Sequence, residues 1–227
     1  MSKVVYTPII DGNKSLFLYK SNIFDKDFKE KLTQFVESKD YRDGKCVSGR
    51  EIPRQQLWYQ TEGKYFCNQW KNRYDRWESV KEYPEILTEV ANQILSSREI
   101  LDVLRENGID KPNINSCLIN KYRDGEDSIR AHRDTYLSFG DFPVIIGISL
   151  GESRLMRIRR LHYPELFKSL KVQKDSDEHI DFMLEDNSIF IMAGYSQKYF
   201  SHEIPKMEGK GCRYSMTFRE FIDNKDV

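Results

Sequence analysis

The sequence predicts a mainly β protein of the α+β kind, a sandwich or barrel of antiparallel strands buttressed by helices from the N-terminal half. One observation is a change of texture from Asn113 onward. Six short runs rich in β-branched and aromatic residues follow, "INSCLINKY", "VIIGISLG", "RLMRIRR", "HIDFMLED", "SIFIMAG" and "RYSMTFREF", broken by Gly, Asp and Pro. The other is helical periodicity confined to the first half. With 227 residues the chain can bury a core without disulfides or metal staples.

The elements follow in order. In Asp25–Lys39, "DKDFKEKLTQFVESK", residues Phe28, Leu32, Phe35 and Val36 share a helical face behind an aspartate suited to capping. A second helical region runs from about Pro84 to Asn107, with proline near its first turn, Gly108 at its end, and Ile86, Leu87, Val90, Ile94 and Leu95 as its stripe. We read residues 1–227 as a single domain, with 1–110 as N-terminal helical support and 111–222 as the β core. Between Arg160 and His179, "LHYPELFKSLKVQKDSD" reads as a surface insertion in which Leu166, Phe167 and Leu170 form a short helix.

Composition excludes more than it selects. Lysine plus arginine equal aspartate plus glutamate at 36 each, so a polyanion site has to be a local patch. The cysteines Cys46, Cys67, Cys117 and Cys212 form no CxxC pair and read as small buried hydrophobes. Without a signal peptide or a long apolar run, the expectation is a soluble monomer of a reducing compartment, cytoplasmic or nuclear, neither secreted nor membrane-bound.

The stretch "AHRDTY" separates His132 from Asp134 by two, so on an extended backbone both project from one face while Arg133 points away. Either they are metal ligands, or they form a charged rim. An iron(II) centre of the two-histidine, one-carboxylate type needs a third ligand and keeps positions open. His202, in "YFSHEIP", supplies it if the strands pack face to face; His162 and His179 flank the insertion, a poor place for a rigid ligand.

In Arg213–Arg219, "RYSMTFR", alternation puts Arg213, Ser215, Thr217 and Arg219 on one side and Tyr214, Met216 and Phe218 on the other. Inward arginines in a core-like strand are costly unless anions meet them. A dicarboxylate would do so, because guanidinium matches carboxylate bidentately. An exposed face with ordinary ion pairs is the alternative. Asn120 and Tyr122 share a face upstream and offer an amide and a phenol.

Taken in order, "NKYRDGEDSIRAHRD", "ISLGESRLMRIR", "SIFIMAGYSQKYFSHEIPK" and "RYSMTFR" resemble the AlkB-like family of iron(II)- and 2-oxoglutarate-dependent dioxygenases, especially its nucleic-acid dealkylation repair branch, over roughly residues 50 to 220. The resemblance implies a double-stranded β-helix, or jelly roll, with a nucleotide-recognition lid. It also implies Fe(II), 2-oxoglutarate and O2 as cofactor and cosubstrates. By resemblance His132, Asp134 and His202 match the iron ligands, while Asn120, Tyr122, Arg213, Thr217 and Arg219 match residues that hold 2-oxoglutarate. The implied chemistry is oxidation of an N-methyl group on 1-methyladenine or 3-methylcytosine in DNA or RNA, with loss of formaldehyde. Such a base must be unpaired or flipped to be reached.

The stretch "REIPRQQLWYQTEGKYFCNQW" resembles the lid, with Ile52-Pro53-Arg54 echoing a Val-Pro-Arg motif. Arg54, Trp58, Tyr65 and Phe66 are its substrate-binding candidates; for the aromatics the alternative is packing within the lid. Thr135 stands where the repair branch often carries an acidic substrate contact. Arg154, Arg157, Arg159 and Arg160 either hold phosphates or lie on a solvated strand face. The segment "YRDGKCVSGR" is short and polar, with Val47 as its apolar tip, so the expected substrate is single-stranded rather than invaded duplex. Two other readings stand beside this one: an oxygenase acting on a protein or small molecule, and a jelly-roll binding module without catalysis.

Overall fold

A computed structural model describes residues 2–46, 48–71, 77–162 and 175–222. The expected insertion helix around Leu166, Phe167 and Leu170, and the tip residue Val47, lie outside the described residues.

The chain opens with β1 (Lys3–Tyr6), β2 (Ile9–Ile10) and β3 (Asn13–Ser21), followed by α1 (Lys26–Glu37) and β4 (Gln55–Gln60). Helices α2 (Glu85–Ser96) and α3 (Arg98–Glu106) precede β5 (Ser116–Tyr122), β6 (Ile129–His132) and the single turn α4 (Tyr136–Phe139). The rest is β7 (Ile145–Gly151), β8 (Arg154–Leu161), β9 (Asp175–Leu184), β10 (Ser188–Gly194), α5 (Ser196–Tyr199), β11 (Phe200–Ile204) and β12 (Arg213–Arg219).

Two antiparallel sheets result. The larger runs β1-β3-β10-β7-β12-β5-β4, with β2 paired to β3, and the smaller runs β6-β11-β8-β9. Their facing layers enclose Phe17, Ile145, Phe190 and Met192 from the large sheet and Ile158, Phe182 and Ile204 from the small one. This mainly β arrangement is consistent with the expected jelly roll. The outer face of the large sheet carries Leu18, Ile148, Ile191, Met216 and Phe218, covered by Leu32 and Val36 of α1, Leu87 and Val90 of α2, and Leu104 of α3. Each such buried aliphatic side chain contributes about 1.5–3 kcal/mol of transfer free energy.

All six expected strands form, and the helices form where periodicity put them. Asp25 accepts from the Phe28 amide at 2.8 Å, an N-cap that starts α1. The expected helix over 84–107 is broken at Ser97, whose backbone is extended (φ −68°, ψ 104°). The apolar stripe explains the break: buried positions run Ile86, Leu87, Val90 and Ile94, then restart at Ile100, Val103 and Leu104, out of phase with a continuous 3.6-residue repeat. Gly108 (φ +71°) then ends α3, its amide bonded to Arg105 O and that of Ile109 to Leu104 O, the paired closure that favours glycine.

The N-terminal half does more than support the sheet with helices, as its composition suggested. It contributes β1 to β4 to the large sheet. Strand β3 escaped the pattern because Leu16, Phe17, Leu18 and Tyr19 are all buried, between helices on one side and the second sheet on the other. No alternation survives in a strand covered on both faces. Among the described residues, no helix is long and apolar enough to cross a membrane.

Candidate active site

Two strands of the small sheet carry the histidines. His132 ends β6 and stands directly opposite His202 of β11, ring centroids 4.2 Å apart. The pair therefore meets as neighbours within one sheet, rather than across two facing sheets as the sequence suggested. A register shift between His202 and Ile204 marks a bulge, a device that re-aims side chains beside sites. Asp134 lies just past the end of β6, and its Oδ1 is 3.9 Å from His202 Nε2.

One candidate ligand atom from each of His132, Asp134 and His202 lies within 4.8 Å of the others, which fits a single metal ion. Their protonation fits too. Burial pushes His202 down to about 3, helped by His132, and burial also lowers His132, so both imidazoles are neutral at pH 7. Burial works to raise the Asp134 carboxyl, but the adjacent Arg219 guanidinium outweighs it and holds the group below its ordinary value. His132 Nδ1 meets the Arg130 carbonyl at 2.8 Å, which places the proton on Nδ1 and leaves the Nε2 lone pair for a metal. Gln197, buried after β10, accepts from the Asp134 amide at 2.9 Å and fixes the carboxylate's backbone.

Behind the triad, between the sheets, lies an inner cavity of about 70 Å³. Asn120, Tyr122, Arg213, Thr217 and Arg219 all line it with His132 and His202. The alternation read in β12 is the one observed: Arg213, Ser215, Thr217 and Arg219 face the cavity, while Tyr214, Met216 and Phe218 enter the helix-covered core. Arg213 is 1% exposed, and burial pushes its guanidinium down to about 10 while Tyr122 works the other way; it remains cationic at pH 7. Its Nη2 donates to Ser149 Oγ at 2.8 Å, and its Nε and Nη1 have no hydrogen-bond partner among the described residues. A buried cation with two open donors is suited to one carboxylate of a dicarboxylate. Arg219 differs. Its Nε donates to Asp134 Oδ2, so it sits at the triad end of the cavity and braces a candidate ligand.

In front of the triad opens an outer cleft of about 620 Å³, and His132 and Arg219 line both spaces. Its walls carry Phe66, Trp70 and Trp77, with six cations (Arg50, Arg54, Arg130, Arg133, Lys206 and Arg219) against the two carboxylates Glu51 and Asp134. The neutral chain does therefore hold a local basic patch. Thr135 lines the cleft as well.

Of the lid aromatics named from sequence, Phe66 lines the cleft, whereas Trp58 and Tyr65 do not. Trp58 is part of β4, fully buried against Phe66, Phe139 and Phe221, with its indole donating to Lys64 O at 2.9 Å. Tyr65 is packed in the same cluster at 7% exposure. Trp58 is core because the strand pairing of β4 with β5 turns its segment into sheet, and Tyr65 packs into the same cluster from the connection after β4. Trp70 and Trp77, not singled out from sequence, supply the wall with Phe66, whose ring stacks on Trp77 at 4.4 Å.

The arginine cluster of β8 does not line the cleft, and its members are engaged within the protein. Arg157 forms a two-point pair with Asp181, Arg159 with Glu203, and Arg160 lies 3.8 Å from Glu178. Arg154 is fully buried and donates to the carbonyls of Asp124, Asp127 and Pro205, clamping together the connections that enter β6 and leave β11. Other site residues gave little sequence signal. Ser149 and Gly147 were legible as small residues alternating with Ile146, Ile148 and Leu150, a pattern that leaves room beside a strand. Gln197 and Gln56 had none.

Comparison with known proteins agrees with this geometry. Residues 16–219 match the family described as the 2OG-Fe(II) oxygenase superfamily. The chain is 33% identical over 110 residues to mouse (Mus musculus) alpha-ketoglutarate-dependent dioxygenase alkB homolog 3, covering 46% of this chain and 36% of that one. It is 28% identical over 134 residues to the DNA oxidative demethylase ALKBH2 of Arabidopsis thaliana, covering 54% of this chain and 42% of that one. It thus spans well under half the length of these relatives. The solved structure of OsALKBH1 shares the fold over 90% of this chain and 97% of its own, with a TM-score of 0.57 at 15% identity. A His-Asp-His triad set between an arginine-lined inner cavity and an open cleft, on a frame matched from residue 16 to residue 219, places the chain in the 2OG-Fe(II) oxygenase superfamily, where it is similar in sequence to AlkB-like proteins.

Proposed function

We propose that this protein is an Fe(II)- and 2-oxoglutarate-dependent oxidative demethylase of N-alkylated bases, 1-methyladenine and 3-methylcytosine, in DNA or RNA, with preference for single strands. The observation that carries the reading is the outer cleft: it opens on the triad and joins an aromatic wall to an excess of cations. Aromatic faces take bases and cations take backbone phosphates.

Bound Fe(II) and 2-oxoglutarate supply oxidation of the methyl carbon by O2, the cosubstrate leaving as succinate and carbon dioxide. The chain's own residues arrange this. His132, Asp134 and His202 are the iron ligands. Arg213, with Asn120, Tyr122 and Thr217, holds 2-oxoglutarate in the inner cavity, and Arg219 steadies Asp134 beside it. The cosubstrate and the base enter from opposite sides of the triad, so neither blocks the other. Phe66, Trp70 and Trp77 form the wall against the base, Thr135 stands at the ligand strand's exit, and exposed Arg50 and Arg130 meet the phosphates.

The single-strand preference draws on the cleft rim. Lys45 and Glu51 pair across a short segment whose described residues, Cys46, Ser48, Gly49 and Arg50, are small or polar. A cytoplasmic or nuclear location agrees with four free cysteines, and the chain is taken to act as a monomer.

The test is anaerobic reconstitution with iron(II), then O2, 2-oxoglutarate and methylated oligonucleotides, with repair read by mass spectrometry. Repair of single strands ahead of duplex is expected. Succinate formed on other substrates with no methylated base repaired would transfer the site to a protein or small molecule. Duplex repaired at least as fast as single strand would end the strand preference.

A further inference from the structure

Asn120 lies at the boundary of the two spaces, and its amide is held from one side. It stands directly opposite Gln56 in the β4–β5 pairing. Its Oδ1 accepts from Gln56 Nε2 at 2.9 Å and from Arg54 Nε at 3.1 Å. Arginine has only donors, so the atom facing it must be the oxygen, whichever way the amide is drawn. Both lone pairs of that oxygen are then used. Gln56 is 1% exposed and Asn120 6%, so water does not compete for these bonds. The Asn120 Nδ2, which bonds to no described residue, is left for the inner cavity that Asn120 lines.

We propose that Gln56 and Arg54 are positioning residues for 2-oxoglutarate, acting through Asn120 by locking its amide with the NH2 group toward the cosubstrate's oxygens. Released from that lock, the amide turns about its Cβ–Cγ bond as easily one way as the other. Half of the orientations then present a carbonyl to a dianion, which repels it. This gives Arg54 a duty that its place in the outer cleft conceals: it lines the base side and organises the cosubstrate side. The inference rests on the inner cavity being the 2-oxoglutarate site.

The experiment is calorimetric titration of 2-oxoglutarate into the full chain loaded with manganese(II) under anaerobic conditions, in a double-mutant cycle. Gln56→Met keeps the length and removes the donor. It should weaken 2-oxoglutarate by about twofold, because half of the released amide's orientations no longer meet the cosubstrate productively. In the Asn120→Ala background the same change should leave affinity unchanged, because no amide remains to be held. A loss of equal size in both backgrounds means that Gln56 acts through general packing, and overturns the proposal. If Asn120→Ala alone leaves affinity unchanged, the reading of the cavity fails first, and the proposal with it. Should Gln56→Met not fold, half-buried Arg54→Met carries the same cycle with the same expected non-additivity. In turnover, Gln56→Met should raise the KM for 2-oxoglutarate while kcat stays near wild type.

Discussion

Replacing Arg219 by methionine tests the electrostatic logic of the metal end. The Arg219 and Asp134 side chains are 6% and 5% exposed, and the guanidinium donates directly to the carboxylate. Methionine conserves much of the volume, so the loss is chiefly of charge. Removing one partner of a buried pair leaves the other uncompensated, at a cost of about 3–5 kcal/mol. The neutral imidazoles of His132 and His202 cannot substitute as cations. Urea unfolding of metal-free Arg219→Met should therefore show an unfolding free energy lower by about 3–5 kcal/mol, with the slope unchanged. Asp134→Asn tests the same pair from the other side. The double variant should be less destabilised than the sum of the singles, by about 2 kcal/mol or more. Manganese(II) should raise the unfolding midpoint of Arg219→Met by more than it raises wild type, because the ion restores a positive neighbour to Asp134. A change within about 1 kcal/mol for Arg219→Met, or additive singles, would refute the reasoning.

Other expectations follow from the same structure. His132→Ala removes a ligand and should abolish both metal retention and turnover; full activity in that variant would overturn the triad. Arg154→Met takes the donor from three carbonyls that anchor the ends of β6 and β11, so it should cost about 2–4 kcal/mol in urea unfolding and weaken manganese(II) binding. Asp127 accepts from Arg123 Nε and Nη2, each at 2.8 Å; burial works to raise its carboxyl and the Arg123 bonds outweigh it, leaving it below the ordinary value. That stabilisation is present above the unfolded carboxylate value of about 4 and is lost as pH falls through the lower folded value, so wild type and Asp127→Asn should differ at pH 6 and converge as the pH is taken below that folded value. Arg130→Ala should weaken oligonucleotide binding and reduce its salt dependence by about one phosphate contact, whereas Arg157→Ala, already paired with Asp181, should leave both unchanged.

Much of the site was legible because strand alternation has a fixed period. In "RYSMTFR" that period separates residues facing the inner cavity from those in the helix-covered core; in "AHRDTY" the close spacing brings His132 and Asp134 together, although Asp134 lies past the end of β6 and Arg133, expected to point away, lines the same cleft. The motif order carried the family. What the chain could not reveal is register between distant strands. That His202 pairs with His132 within one sheet, rather than across two, depends on which strands neighbour each other. The same holds for the fate of charges and aromatics. "RLMRIRR" looks like a phosphate patch until Asp181 and Glu203 are brought beside it, and Trp58 looks like a stacking residue until β4 pairs with β5 and buries it. Periodicity acts along a strand and is written in the residues. Partnership acts across strands, between residues such as Gln56 and Asn120 that are far apart in sequence, and only the closed fold decides it.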